Sequence, residues 1–405
     1  VVETPEAIRH CLEPQVQERI LETGKMIAQR GISRIFLLGC GTSKYAAIST
    51  ARALVDLAGM DADAYDSLEF ASYGLGRITP QTAVMAFSHS GNTKATVDAA
   101  ALARARGAFT ICLTDTLESR LAENADIVVP VGGGPEPVEP KTRSYINTVV
   151  VGYLLAAGAA LKSGESAFKA AADESGVPNP IAVDGQCVDG RQADGQCVDG
   201  RYADARYTDG RQSMRGCVCA TLDSNSYCKT GLPLSAPGRG HAAVGLKAVE
   251  RASAESQQGA LSGELARIPA LLTGCLSLES QIKALAGKHK DAKRVFAVGT
   301  GPNYATALEV ALKFREAVLL PAEGLEVEEA FHGPIASLDE DTLVIAVTGP
   351  GPSSERVGDF AQAAALMGCP VIRVIAEPDR TEAISGSTAG TIGVATNAPV
   401  SPTAG

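Results

Sequence analysis

The residue pattern points to an α/β chain of two doubly wound parallel-sheet domains in tandem, the second incomplete at its C-terminus. Three observations carry this. Short apolar runs alternate with helical stretches through the first part of the chain. The same alternation restarts near Gly263. Both series contain a Gly-rich loop directly after their first apolar run, where a strand would hand over to a helix.

In the first series, Pro14–Arg30 has helical periodicity. Arg34–Gly39 is an apolar run, and Ser43–Gly59 is helical. Thr82–Phe87 is the next apolar run, followed by a helix over Thr93–Gly107. Phe109–Thr114 and Ile127–Val131 are further strands, and Ser144–Lys162 is a closing helix. The second series has helix over Leu272–His289 and strand over Arg294–Val298. Helix Asn303–Leu319, strand Thr342–Val347, helix Ser353–Met367 and strand Val371–Ile375 follow. Beyond Asp379 the residues turn small and polar, with no closing helix. The expected domains are residues 1–170, 261–405 and, between them, a segment of different character.

That segment, 171–260, carries a tandem repeat. Asp184-Gly-Gln-Cys-Val-Asp-Gly-Arg-Gln-Ala193 is followed by Asp194-Gly-Gln-Cys-Val-Asp-Gly-Arg-Tyr-Ala203. A period of five fits neither helix nor strand, and large aliphatics are scarce. The segment reads as a disordered insert or as translated non-coding repeat. Cys217-Val-Cys219 and Cys228 make a poor metal set, since no paired CxxC is present and His241 is the one nearby His.

Composition bounds the function. Of 405 residues, 45% are hydrophobic but only 4% aromatic, with no Trp, so Ala and aliphatic side chains must fill the cores. Abundant Ala and Gly suit helices packed closely on a sheet. A net charge of −10 argues against a broad nucleic-acid-binding face. The longest apolar run, Val149–Leu161, is too short for a membrane span, and no secretory signal is read. Cys11, Cys40, Cys112, Cys275 and Cys369 are scattered in apolar stretches, as reduced core cysteines are. The expectation is a cytoplasmic protein with no membrane or nucleic-acid partner.

Two loops of the first series carry chemistry. Gly39-Cys-Gly-Thr-Ser43 and Ser88-His-Ser-Gly-Asn-Thr93 each follow a strand and open a helix. There, free N–H groups and the positive end of the helix dipole favour an anion. Gly lets the backbone approach, and hydroxyls add donors. An ordinary N-cap explains one such loop. Two dense Ser/Thr/Gly loops on neighbouring strands favour a phosphate site at the carboxyl edge of the sheet. Neither loop ends in GKS or GKT, and neither has the third Gly of a dinucleotide fingerprint.

These loops are similar to the two signature loops of the SIS (sugar isomerase) domain family, and the similarity extends over both series. The resemblance implies flavodoxin-like domains, a phosphorylated sugar as ligand and phosphate contacts from Thr42, Ser43, Ser88, Ser90 and Thr93. His89 and Asn92 depart from the family's usual Gln and Glu. Lys141–Tyr145 resembles the loop that closes over the sugar, with altered residues.

Lys313 and Glu316 are spaced to share a helix face, which by itself describes many solvated ion pairs. The run Glu309-Val-Ala-Leu-Lys-Phe-Arg-Glu316, with His332-Gly-Pro334 sixteen residues on, resembles the family's isomerase site. It implies Glu316 as proton shuttle, Lys313 as the charge stabiliser and His332 as ring opener, donated by the partner of a homodimer. Glu329 matches a family acid without a clear role. No glutamine-hydrolysing domain and no family C-terminal tail are read in the chain. The expected activity is isomerisation or deglycation of a phosphorylated sugar or amino sugar, with no cofactor and no metal. The rival expectation is a non-catalytic sugar-phosphate-binding protein.

Overall fold

The computed structural model describes residues 1–134, 136, 140–163, 254–349, 351, 353–377 and 390–395. The repeat, its cysteines and the final ten residues lie outside these. The described elements belong to one compact unit, Val1–Lys169 with Glu250–Gly405.

The first half comprises helices α1 (Thr4–Cys11) and α2 (Pro14–Gln29), then β1 (Arg34–Gly39), α3 (Thr42–Ala58), β2 (Asp61–Asp66) and β3 (Thr82–Phe87). Helix α4 (Lys94–Ala105), β4 (Phe109–Thr114), β5 (Ile127–Pro130) and α5 (Arg143–Ser163) complete it. The second half has α6 (Ala254–Leu276), α7 (Glu279–Lys288), β6 (Arg294–Gly299), α8 (Pro302–Lys313) and β7 (Ala322–Glu326). Then come β8 (Thr342–Thr348), α9 (Ser354–Leu366), β9 (Val371–Glu377) and β10 (Gly390–Ala395).

Each half holds one parallel five-stranded sheet. The orders are β2-β1-β3-β4-β5 and β7-β6-β8-β9-β10 in mirrored listing, so the two halves repeat one topology. Strands β1 and β3 are buried along nearly their whole length, as central parallel strands covered on both faces must be.

Three strands go beyond the sequence expectation. β2 (Asp-Ala-Asp-Ala-Tyr-Asp) and β7 (Ala-Glu-Gly-Leu-Glu) are acid-rich edge strands, and β10 (Gly-Thr-Ile-Gly-Val-Ala) is short and glycine-broken. None shows a long apolar run, and β2 and β7, at the sheet edges, are only partly buried. Two boundaries also move. Helix α6 starts at Ala254, inside the segment expected to end at 260. The single helix expected over Leu272–His289 is instead the end of α6 and a separate α7.

Helix α5 is the centre of the first half, packed on α2 and α3. Its residues Arg143–Leu161 form a 19-residue stretch long and apolar enough to cross a membrane, longer than the run read from sequence. Of that stretch, 67% is buried within the fold, the behaviour of a core helix. Small residues allow the contact: a Cβ on Gly158 would lie 2.1 Å from the Leu21 carbonyl oxygen, and one on Gly24 equally close to that of Leu155. The abundance of Ala and Gly thus has a direct use here. Helix α3 also packs on α8, joining the first helix after each sheet's central loop.

Candidate functional site

The β1–α3 loop turns at Gly41, with φ 53° and ψ −128°, backbone that side chains with a Cβ rarely adopt. This presents Thr42 and Ser43 at the start of α3. The second loop leaves β3, the neighbour of β1, at the same edge of the sheet. Ser88 is buried, and its Oγ lies 3.0 Å from Thr93 Oγ1. Ser90 is exposed, and its Oγ accepts from the Asn92 amide at 3.3 Å. Gly91, also at positive φ, leaves no room for a side chain against Ser119. Four of the five expected phosphate residues therefore surround two adjoining helix starts with hydroxyls available.

Beneath the loops runs a buried polar bridge that sequence reasoning missed. Thr96 Oγ1 lies 2.9 Å from Ser67 Oγ and 3.8 Å from Cys40 Sγ. It ties α4 to the end of β2 and to the β1 loop. Nothing in the sequence separates such hydroxyls from ordinary helix residues.

Thr42 faces elsewhere. Its hydroxyl donates to Glu309 Oε1 at 3.1 Å and accepts from Lys313 Nζ at 3.2 Å. Lys313 also reaches Glu316 Oε2 at 2.6 Å and Glu309 Oε1 at 3.2 Å. The first of the two expected phosphate loops and the expected acid–base residues of the second half thus meet at one ammonium group. Glu316 lies in a π-helical turn, Phe314–Val318, that continues α8. Glu316 and Lys313 are three residues apart, and π-helical turns recur at functional sites.

Glu309 is 6% exposed, and its Oε2 has no hydrogen-bond partner among the described residues. Burial pushes its carboxyl up to about 7, against the opposing pull of Lys313 and Thr42. Tyr145, from the loop expected to cover a sugar, bonds the Thr306 side chain of α8 and is pushed up by burial and then by the Glu309 charge.

The opposite case is Glu136, whose two oxygens accept from the amides of Thr142, Arg143 and Ser144 and from two hydroxyls. Burial alone would raise it. The amides outweigh burial and bring it down to about 2. It fixes the Lys141–Tyr145 loop as the start of α5.

His332 is not brought to this cluster. Its side chain is 80% exposed, and its nearest charged neighbour is Glu328, at 3.8 Å. Glu328 is held in turn by Arg356, which stacks on Phe331. Glu329 is a helical residue of the short Val327–Phe331 turn, and its charge is felt by Tyr304 on α8.

A family model described as the SIS domain matches residues 26–158 and 289–376, more than half of the chain. The chain belongs to the SIS-domain family. This SIS chain is 24% identical over 357 residues to a human protein named glutamine--fructose-6-phosphate aminotransferase [isomerizing] 2, covering 87% of the chain and 39% of that protein. With the aminotransferase of the same name from Methanothermobacter thermautotrophicus it shares 23% over 372 residues, 92% of the chain and 46% of the relative. The SIS chain thus spans less than half the length of either relative. Among solved structures, the C-terminal domain of glucosamine-fructose-6-phosphate aminotransferase from Francisella tularensis superimposes with a TM-score of 0.67 at 16% identity, covering 97% of the SIS chain and 87% of that one. Tagatose-6-phosphate ketose/aldose isomerase from Escherichia coli gives 0.60 at 17%, covering 99% and 84%. These likenesses show a shared fold.

Proposed function

We propose that the chain binds a phosphorylated sugar or amino sugar and shifts its carbonyl between C1 and C2, as an isomerase or deglycase does. The observation that carries this is the Lys313 ammonium, bonded at once to Thr42 of the binding loop and to Glu316. Phosphate capture and proton transfer then lie side by side. The names of the relatives, which act on fructose 6-phosphate or tagatose 6-phosphate, support the substrate class.

The roles follow from chemistry. The phosphoryl group sits at the starts of α3 and α4, held by Ser43, Ser88, Ser90 and Thr93. Thr42, committed to Glu309 and Lys313, orients the charged cluster rather than the phosphate. Glu316 removes the proton from C1 of the open-chain ketose and returns it to C2. Lys313 stabilises the negative oxygen of the enediolate between the two steps. His332 opens the ring, and its distance from the cluster calls for a second copy of the chain to supply it. Val318 and Leu319, exposed directly after Glu316, are suited to face that copy. The protein works without a metal or cofactor, because proton transfer and anion capture are both supplied by its own groups.

The test is exchange of the C1 or C2 proton of fructose 6-phosphate with deuterated solvent, followed by NMR. The parent should exchange it, and Glu316→Gln should slow exchange by about 10²–10⁴-fold while still binding the sugar phosphate. A parent chain that binds hexose phosphates and amino-sugar phosphates yet exchanges none is a binding protein instead. A Gln variant as fast as the parent moves the base to another carboxylate, with Glu329 the next to substitute.

A further inference from the structure

His89 sits inside the second phosphate loop, and its imidazole is largely buried, with 18% of the side chain exposed. Asp115, just past the end of β4, is 5% exposed. His89 Nδ1 and Asp115 Oδ2 are 3.2 Å apart, but the angle is not that of a hydrogen bond. Both ring nitrogens and that carboxylate oxygen are buried without a hydrogen-bond partner among the described residues. Buried polar atoms are almost always partnered, so three together need a reason. The backbone around them is well fixed: the His89 carbonyl accepts from the Asp115 amide at 3.2 Å and from Thr114 Oγ1 at 3.1 Å. The pair is held in place, and its bonding is left open.

The loops offer hydroxyls and amides to an anion, but their nearby lysines are already committed. Lys44 pairs with Asp66, Lys94 with Asp98, and Lys313 with Glu309 and Glu316. A phosphate monoester brings a charge of about −1.5 to −2 at neutral pH. Cys11 of α1 is a titratable group that feels the Asp115 charge. Burial, then the charge of Asp115, pushes its thiol up to about 12, so it stays neutral.

We propose that His89 and Asp115 couple phosphoryl binding to uptake of a proton at His89, an inference that rests on the phosphate site proposed above. When the anion arrives, a solvent proton joins the imidazole. One N–H then donates to a phosphoryl oxygen and the other to Asp115 Oδ2. All three orphan atoms gain partners, and the loop gains a cation beside the anion. No proton passes to the sugar. The pair acts in binding, and binding of anion and proton must favour each other equally.

Calorimetry with inorganic phosphate and with fructose 6-phosphate, in two buffers of different ionisation enthalpy, measures both affinity and proton uptake. The parent should take up protons on binding. His89→Ala should bind about tenfold more weakly, the loss expected for one hydrogen bond to a charged group, and take up fewer protons. Asp115→Asn, nearly isosteric, should shift both quantities the same way and carries the test if His89→Ala does not fold. Equal affinity or equal proton uptake in parent and variants overturns the proposal, even where Ser88→Ala still weakens sugar-phosphate binding. His89-dependent proton uptake with inorganic phosphate but no binding of fructose 6-phosphate upholds the proton coupling and removes the sugar-phosphate reading. Binding of neither ligand by the parent removes both.

Discussion

The two halves start from the same backbone and diverge in what they place on it. Gly41 and Gly301 precede the helix that follows the first strand of each half, α3 and α8, with nearly identical dihedral angles, 53°/−128° and 56°/−129°. After Gly41 come Thr42 and Ser43. After Gly301 come Pro302 and Asn303, and the proline has no N–H to offer. The loop after β8 reads Thr348-Gly-Pro-Gly351, again with a proline where the first half has Ser90. The second half has therefore given up donors that an anion needs. Its helix instead carries Glu309, Lys313 and Glu316. Counted from the two glycines, the first half has Ser49, Ala53 and Asp56 at those places. On the proposed reading one repeat of the fold holds and the other reacts, and α3 packs on α8 between them. The comparison teaches that one loop geometry can carry different residue types, and so different numbers of donors.

Breaking the charged cluster should have the largest effect. Lys313→Met leaves Glu309 buried beside Glu316 with no cation. Removing one partner of a buried ion pair costs about 3–5 kcal/mol, measured by urea unfolding at pH 8. Because Glu309 is raised toward about 7, the deficit should shrink as the pH drops to 5, where the carboxyl is protonated.

The parent itself should show a related signature. An acid raised in the folded state contributes stability that is fully present below its ordinary value, near 4.5, and is lost as the pH rises through about 7. Glu309→Gln should flatten that decline, by a margin of a few kcal/mol at most, in melting curves from pH 5 to 8. A decline of unchanged size would place its source elsewhere.

Glu136 runs the other way. Its stabilisation is present above about 4.5 and is lost as the pH falls toward 2. Glu136→Gln should cost about 1–2 kcal/mol at pH 7 and clearly less at pH 2, read by the same unfolding experiment.

These carboxylates also mark how far the sequence could be read. The central strands were legible as apolar runs, because both of their faces are covered. The two loops were legible because a left-handed glycine between a strand and a helix leaves few alternatives. The edge strands β2 and β7 were not, since one side of each is open and tolerates acids. Glu309 stood in plain sight within a helical acid–base run. Its burial, which separates it from Glu316 seven residues on, comes from α3 packing over it and leaves no trace in local spacing. Likewise, Asp115 gains meaning only when β3 and β4 lie side by side. Thr42 was legible as a loop residue, but the direction of its hydroxyl was set by a helix about 270 residues away in sequence.

The most direct test of the division of labour is a calorimetric titration of fructose 6-phosphate into the parent, Ser88→Ala and Asn303→Ala. The division predicts one site per chain, weakened about ten- to a hundred-fold by Ser88→Ala and unchanged by Asn303→Ala. Two equivalent sites, or a loss of affinity in Asn303→Ala with none in Ser88→Ala, would contradict it.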